Sequence, residues 1–292
     1  MIDCKSGGEP ALHMACVLYG TQHCIIKSVA HSGAPLMLSN AIRFALATIA
    51  TVCSMKASIA TGYAPLGVNP VSVRFVYETF KMGAYSAASF YSQTVALRYT
   101  SATRCAYILY LNIKIVCILS VVRNPSLCKL RMCASVSLAT VGTMLLAIDS
   151  VDITSSIGRG EVLCVISAFL SALFTLQLEE IARFQQSAIL TNALYLSFAT
   201  ILLVCFSVDE WRWKTIMFDA KTLLSVLYLG MLTFVGQFLQ TYGQATVDAT
   251  RTAVIFSLDP VYNLIIATVF WGEMVTRSMM CGVALVSLAV FV

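Results

Sequence analysis

Long apolar runs separated by short polar breaks set the pattern of this chain. The runs do not alternate with a period of two, so they predict helices and not the strands of a membrane barrel. Ten helices are predicted: 11–29, 34–55 opening behind Pro35, 80–97, 103–122, 132–148, 160–182, 188–207, 223–242, 252–271 and 278–292. A hydrocarbon layer about 30 Å thick asks for roughly 20 apolar residues per helix, which is the scale of these runs. The breaks are polar and short. The longest before the midpoint holds Gly62, Pro65, Gly67, Asn69 and Pro70, a basic turn runs from Arg123 to Arg131, and a segment rich in Asp, Ser and Thr spans Asp149 to Arg159.

One stretch occurs twice. Gln93 to Asn112 reads QTVALRYTSATRCAYILYLN and Gln240 to Asp259 reads QTYGQATVDATRTAVIFSLD, 147 positions later and without a gap. An internal repeat fixes architecture before any other feature, and this one divides the chain into halves at 1–152 and 153–292. Five helices per half is an odd number, so the second half enters a membrane with the opposite orientation. The expectation is an all-α integral membrane protein with ten transmembrane helices arranged as two inverted five-helix repeats, in which rocking halves expose one midplane site to each side in turn. With the N-terminus inside, nine loop Lys and Arg fall on the cytoplasmic side against seven outside, and seven against two in the first half alone. Both termini are therefore expected to be cytoplasmic.

Composition removes the other broad classes. Hydrophobic residues make up 59% of the 292 residues and charged residues 11%, with a mean hydropathy of +0.83. No soluble domain needs that balance. The net charge of +5 is spread thinly over loops, which argues against nucleic acid as a partner. Eleven Cys form no Cys-x-x-Cys pair and no metal-like cluster with His13, His23 and His31, so they read as reduced packing residues and no cofactor is expected. No cleavable leader is expected ahead of the first helix, and no Asn-x-Ser/Thr acceptor exists because Asn124 precedes Pro125. Val292 falls inside an apolar run. The expected partners are the lipid bilayer, a small-molecule substrate and, as a further option, a second copy of the chain.

An ionised side chain in hydrocarbon costs roughly 3 kcal/mol on insertion scales, so it turns into a bundle or a wet cavity. Lys27, Arg43, Lys114 and Asp259 fall within predicted spans. Tyr107, Tyr110 and Lys114 are spaced by three and four and share one helix face, a cradle for an anionic or sugar-like group. Lys114 and Asp259 occupy nearly equivalent places in the repeats, so an ion pair between them is the competing reading. Lys27 lies near a helix end and is expected to snorkel. Arg43 reads either as a structural donor or as a substrate contact. Thr233, Gln237, Gln240 and Gln244 share a face of the eighth helix, as do Ser86, Ser89 and Gln93 on the third, while Tyr19, Gln22 and His23 cluster on the first. Polar groups on one face serve as interhelical bonds or as a cavity wall. Gly83, Ala87, Gly142, Gly230 and Gly282 read as close helix contacts, Glu273 as a helix cap, Glu179 and Glu180 as interfacial acids, and Trp211 and Trp213 as part of an aromatic belt. Three of the four intramembrane charges are basic, which favours an anionic metabolite.

Tyr19-Gly20, Lys27, Pro35, Arg43-Phe44 and the Gln93 to Arg104 stretch, then Leu258-Asp259-Pro260, Gly272-Glu273 and Gly282, occur in an order that resembles the EamA-type repeats of the drug/metabolite transporter superfamily. The first half departs from that pattern: Asn112-Ile113-Lys114 stands where the second has Asp259-Pro260, and the Gly-Glu pair is missing. Its Leu-x-x-Lys-Ile sequence is similar to one in nucleotide-sugar transporters. The resemblance implies a secondary transporter of a small organic metabolite, working by alternating access through a central cavity lined by helices one, three, four, six, eight and nine. A nucleotide-sugar or sugar-phosphate antiporter of an organelle membrane, or a receptor or scaffold that does not transport, are the alternatives. An enzyme is not expected, since Gly-x-Gly-Asp, His-Glu-x-x-His, Gly-x-Ser-x-Gly and Walker sequences are absent.

Overall fold

The computed structural model describes residues 7–61, 70–100, 102–123, 130–148, 158–213, 219–271 and 275–291. Among them the chain is all helical. The helices are α1 (Gly8–His31), α2 (Leu36–Ala60), α3 (Val73–Ala96), α4 (Ala102–Leu109), α5 (Leu111–Arg123), α6 (Leu130–Ile148), α7 (Arg159–Ala182), α8 (Ala188–Trp213), α9 (Ala220–Gln244), α10 (Ala249–Phe256), α11 (Asp259–Trp271) and α12 (Arg277–Phe291). Five stretches are long and apolar enough to cross a membrane: Leu36–Ala60, Arg104–Arg123, Arg159–Ala182, Ala188–Val208 and Ala220–Gln244. Leu130–Leu146 and Arg277–Phe291 are apolar but shorter.

The fourth and ninth predicted spans are each interrupted. In the second half Pro260 has no N–H to give to Phe256 and its ring crowds that carbonyl, so α10 ends at Phe256 and α11 begins at Asp259. In the first half the interruption falls at the equivalent place, Tyr110, without a proline. α3 begins seven residues before the predicted start at Phe80 because polarity hides its first two turns. Ser72 caps it by accepting from Phe75 N at 3.1 Å, and Glu78 pairs with Lys81 at 2.5 Å. Asp219 caps α9 in the same way, accepting from Thr222 N at 2.9 Å, and hydrogen bonds from Thr222 hold its carboxyl below the usual value. α10 is capped twice, by Asp248 on Arg251 N at 2.7 Å and by Glu179 Oε2 on Ala249 N at 3.1 Å. Glu180 binds Arg123 and Arg183.

Packing between the two halves is reciprocal. α3 lies along α7 and α1 along α9; α2 packs on α8 and α9 while α3 packs on α8; α6 packs on α12. The largest apolar cluster, with Phe44, Phe75, Met82, Tyr195, Leu196 and Leu203, joins α2 and α3 to α8. Large apolar side chains such as Ile49, Ile118, Ile201, Leu224, Met231 and Val269 point outward, as a lipid-facing surface requires. Small residues set how near the helices come. At the α6–α12 crossing a Cβ on Gly142 would lie 2.6 Å from Val286 and one on Gly282 would lie 2.7 Å from the Gly142 carbonyl. Gly83 faces Phe198 and Gly230 faces Leu46 in comparable ways. The polar linker around Gly62 to Asn69, most of the 123–131 turn, the join from Asp149, and Gly272 and Glu273 lie outside the described residues, as do the side chains of His23, Lys27, Trp211 and Trp213.

Gly282→Leu drives a branched side chain into the α6 backbone, so it is expected to destabilise the detergent-purified protein by about 1–3 kcal/mol. Met280→Leu, on the exposed side of the same helix, should leave the melting temperature unchanged. Equal melting temperatures for both variants contradict the close crossing.

Candidate functional site

Arg43 is the centre of the polar interior. The α2 face that carries Met37, Ala41, Phe44 and Ala47 is buried against the neighbouring helices, and Arg43 emerges from that face with only 2% of its surface exposed. Its Nε donates to Thr233 Oγ1 at 2.6 Å and its Nη2 donates to Gln22 Oε1 at 3.1 Å, tying α2 to α9 and α1. Thr233 accepts from Arg43 because its own proton goes to the Leu229 carbonyl at 2.7 Å. The guanidinium lies 4.9 Å from the Phe90 ring centre and 5.6 Å from that of Phe44. Nη1 has no acceptor, and among the described residues no carboxylate pairs with Arg43.

Amides extend this network. Tyr19 donates to Gln240 Oε1 at 3.0 Å, Gln240 to Gln244 Oε1 at 3.1 Å, and Gln244 to the Thr175 carbonyl at 3.3 Å, a relay from α1 through α9 to α7. Tyr195 donates to Gln237 Oε1 at 2.8 Å. Ser89 hydrogen bonds Ser167 and Ser171 at 2.9 and 2.8 Å, joining α3 to α7. Most of these buried polar atoms are satisfied within the protein, whereas Arg43 Nη1 and Asn112 Oδ1 are buried without a hydrogen-bond partner.

A cavity of about 180 Å³ opens beside this network. Gln22, Arg43, Gln93, Tyr110, Gln237, Gln240 and Asp259, all read from the sequence as candidates, lie on its wall, together with Tyr19, Ser86 and Ser89. Tyr107, Lys114 and Gln244 are not among the residues that line it. Of Tyr107, Tyr110 and Lys114, the structure brings only Tyr110 to the cavity wall. Tyr107 meets the Tyr110 ring edge-on at 6.2 Å beside an apolar cluster formed by α5, α7 and α10. Lys114 is half-buried on α5 and makes no ion pair with Asp259. Gln244 is buried one turn beyond the cavity and acts through Gln240. Sequence reasoning misses Asn112, Phe174 and Thr175 on the wall. Asn112 is findable, since it sits 147 positions before Asp259.

Apolar helices long enough to span a bilayer, a lipid-facing outer surface and a polar interior define an integral, multi-pass membrane protein. Residues 158–292 match the EamA-like transporter family, part of the drug/metabolite transporter superfamily. A crystal structure of a protein 14% identical in sequence has the same fold, with a TM-score of 0.78 over 98% of this chain and 96% of that one. No curated protein matches the chain.

Thr233→Val keeps the shape of the side chain but leaves Arg43 Nε buried without an acceptor. The expected loss of stability is about 1–3 kcal/mol. Denaturation of the purified variant measures it, and an unchanged midpoint means that the Arg43–Thr233 bond carries no weight.

Proposed function

We propose that the protein is a secondary transporter that moves a small polar metabolite by alternating access, with the cavity as its substrate site between two inverted five-helix repeats. The observation that carries this reading is that the cavity wall is built from pairs of residues 147 positions apart, one from each half: Phe90 and Gln237, Gln93 and Gln240, Leu109 and Phe256, Asn112 and Asp259. A site at the junction of two similar halves is the place where relative rocking alters access. The family match, whose name is that of transporters, points the same way.

Two ion pairs between the halves support inversion. Arg104 and Arg251, the arginines of the repeated Ala-Thr-Arg, each hold a glutamate at the start of the other half's first helix: Arg104 with Glu161 at 3.3 Å and Arg251 with Glu9 at 3.0 Å. Glu9 opens α1, and the helix of its partner Arg251 is capped by Glu179, near the end of α7. The start of α1 thus lies beside the end of α7, as inverted repeats require. Two such contacts, made and broken in turn, supply the differential interactions that a two-state change needs. The volume of about 180 Å³ is below the roughly 300–1,000 Å³ of pockets for drug-sized ligands and favours a small solute over a nucleotide sugar. The Lys and Arg distribution favours cytoplasmic termini.

Asn112→Cys, in a chain whose own 11 cysteines are replaced, places one thiol in the cavity. In reconstituted vesicles it should react with an impermeant maleimide added from either side. Reaction from a single side in protein that still binds ligand excludes alternating access.

A further inference from the structure

We infer that Arg43 receives the carboxylate of a small monocarboxylate solute, whose remaining part carries no second negative charge. The inference rests on reading the cavity as the substrate site and names what that site takes. A guanidinium has five N–H donors in a flat fork. In Arg43 the donors at Nε and Nη2 have neutral acceptors, Thr233 and Gln22, and its flat face lies against Phe90. Nη1 has no acceptor although the residue is 2% exposed and lies on the cavity wall. A buried cation without a counter-charge is costly, and no protein carboxylate pairs with this one among the described residues. The missing partner is therefore an anion that arrives by way of the cavity. Planar, charge-assisted recognition at a guanidinium suits a carboxylate or a phosphate, and the carboxylate is the smaller of the two with a single negative charge.

Size and the facing wall narrow the class. About 180 Å³ holds a few heavy atoms beyond the carboxylate. Asp259 stands on the same wall at the start of α11. A second anionic group on the solute meets like charge there, whereas a hydroxyl or an ammonium finds an acceptor. Hydroxy acids and amino acids are both monocarboxylates of this kind, and dicarboxylates and sugar phosphates are not.

The test compares carboxylates with their uncharged amides on the intact protein. Thermal stabilisation and counterflow in liposomes would be measured with lactate against lactamide, alanine against alaninamide, malate, and glucose. One carboxylate should bind roughly 10–100-fold more tightly than its amide, as for loss of one charge-assisted bond. Malate should bind more weakly. Arg43→Gln should abolish the preference and Arg43→Lys should retain part of it. Lactate alone or alanine alone as ligand identifies the remainder of the solute and supports the assignment. Equal binding of acid and amide, tighter binding of malate, or an undiminished preference in Arg43→Gln overturns it. Counterflow of glucose or an amide without any carboxylate overturns it while leaving the transporter reading intact, and absence of both binding and counterflow throughout the panel overturns both. The acid–amide comparison needs only the unaltered chain, so it decides the matter even where an Arg43 variant fails to fold.

Discussion

Hydrocarbon offers no hydrogen bonds, so every donor and acceptor within a bilayer must be satisfied by the protein itself or by what it encloses. The interior of this chain is a response to that constraint. Tyr19, Gln240, Gln244 and the Thr175 carbonyl form one continuous series, Tyr195 and Gln237 another, and Ser89 with Ser167 and Ser171 a third. Each joins two or more helices, so polar satisfaction and helix assembly are the same event. Among the described residues Arg43 is the one cation on the cavity wall, and its bonds run to both α1 and α9.

The same constraint explains the relation between duplication and site. Polar positions that face inward in one half face inward in the other, because equivalent helices meet the bundle at equivalent angles. Gln93 and Gln240 therefore reach the same cavity, and so do Asn112 and Asp259. Where charge appears in only one member of such a pair, the wall is polarised: Asp259 is an acid and Asn112 its neutral counterpart.

Much of this is legible in the sequence. Apolar runs locate the helices and the 147-residue repeat aligns the halves, because lipid exposure leaves a strong compositional mark. Single-face amides identify Gln237 and Gln240 as wall residues, since a helix that keeps its period keeps its faces. Sequence reasoning fails where the helix period does not hold. Tyr107 and Lys114 flank the interruption at Tyr110, and neither lines the cavity. The start of α3 escapes for a different reason: an amphipathic opening with Arg74, Glu78 and Lys81 has the composition of a loop and only its Ser72 cap marks it. Asn112 is easily passed over because an amide standing where the sister half has a carboxylate reads as a departure from pattern and not as a position held in common.

The two interruptions have different chemistry. Pro260 makes the one between α10 and α11 permanent, since no rearrangement restores the missing N–H. At the equivalent position Ile113 keeps its amide, so nothing in the covalent structure prevents α4 and α5 from joining into one continuous rod. A fixed kink thus faces an annealable one across the pseudo-symmetric bundle. Two halves alike in sequence pattern are thereby given unequal stiffness, so one interruption is fixed by covalent structure while the other is free to straighten.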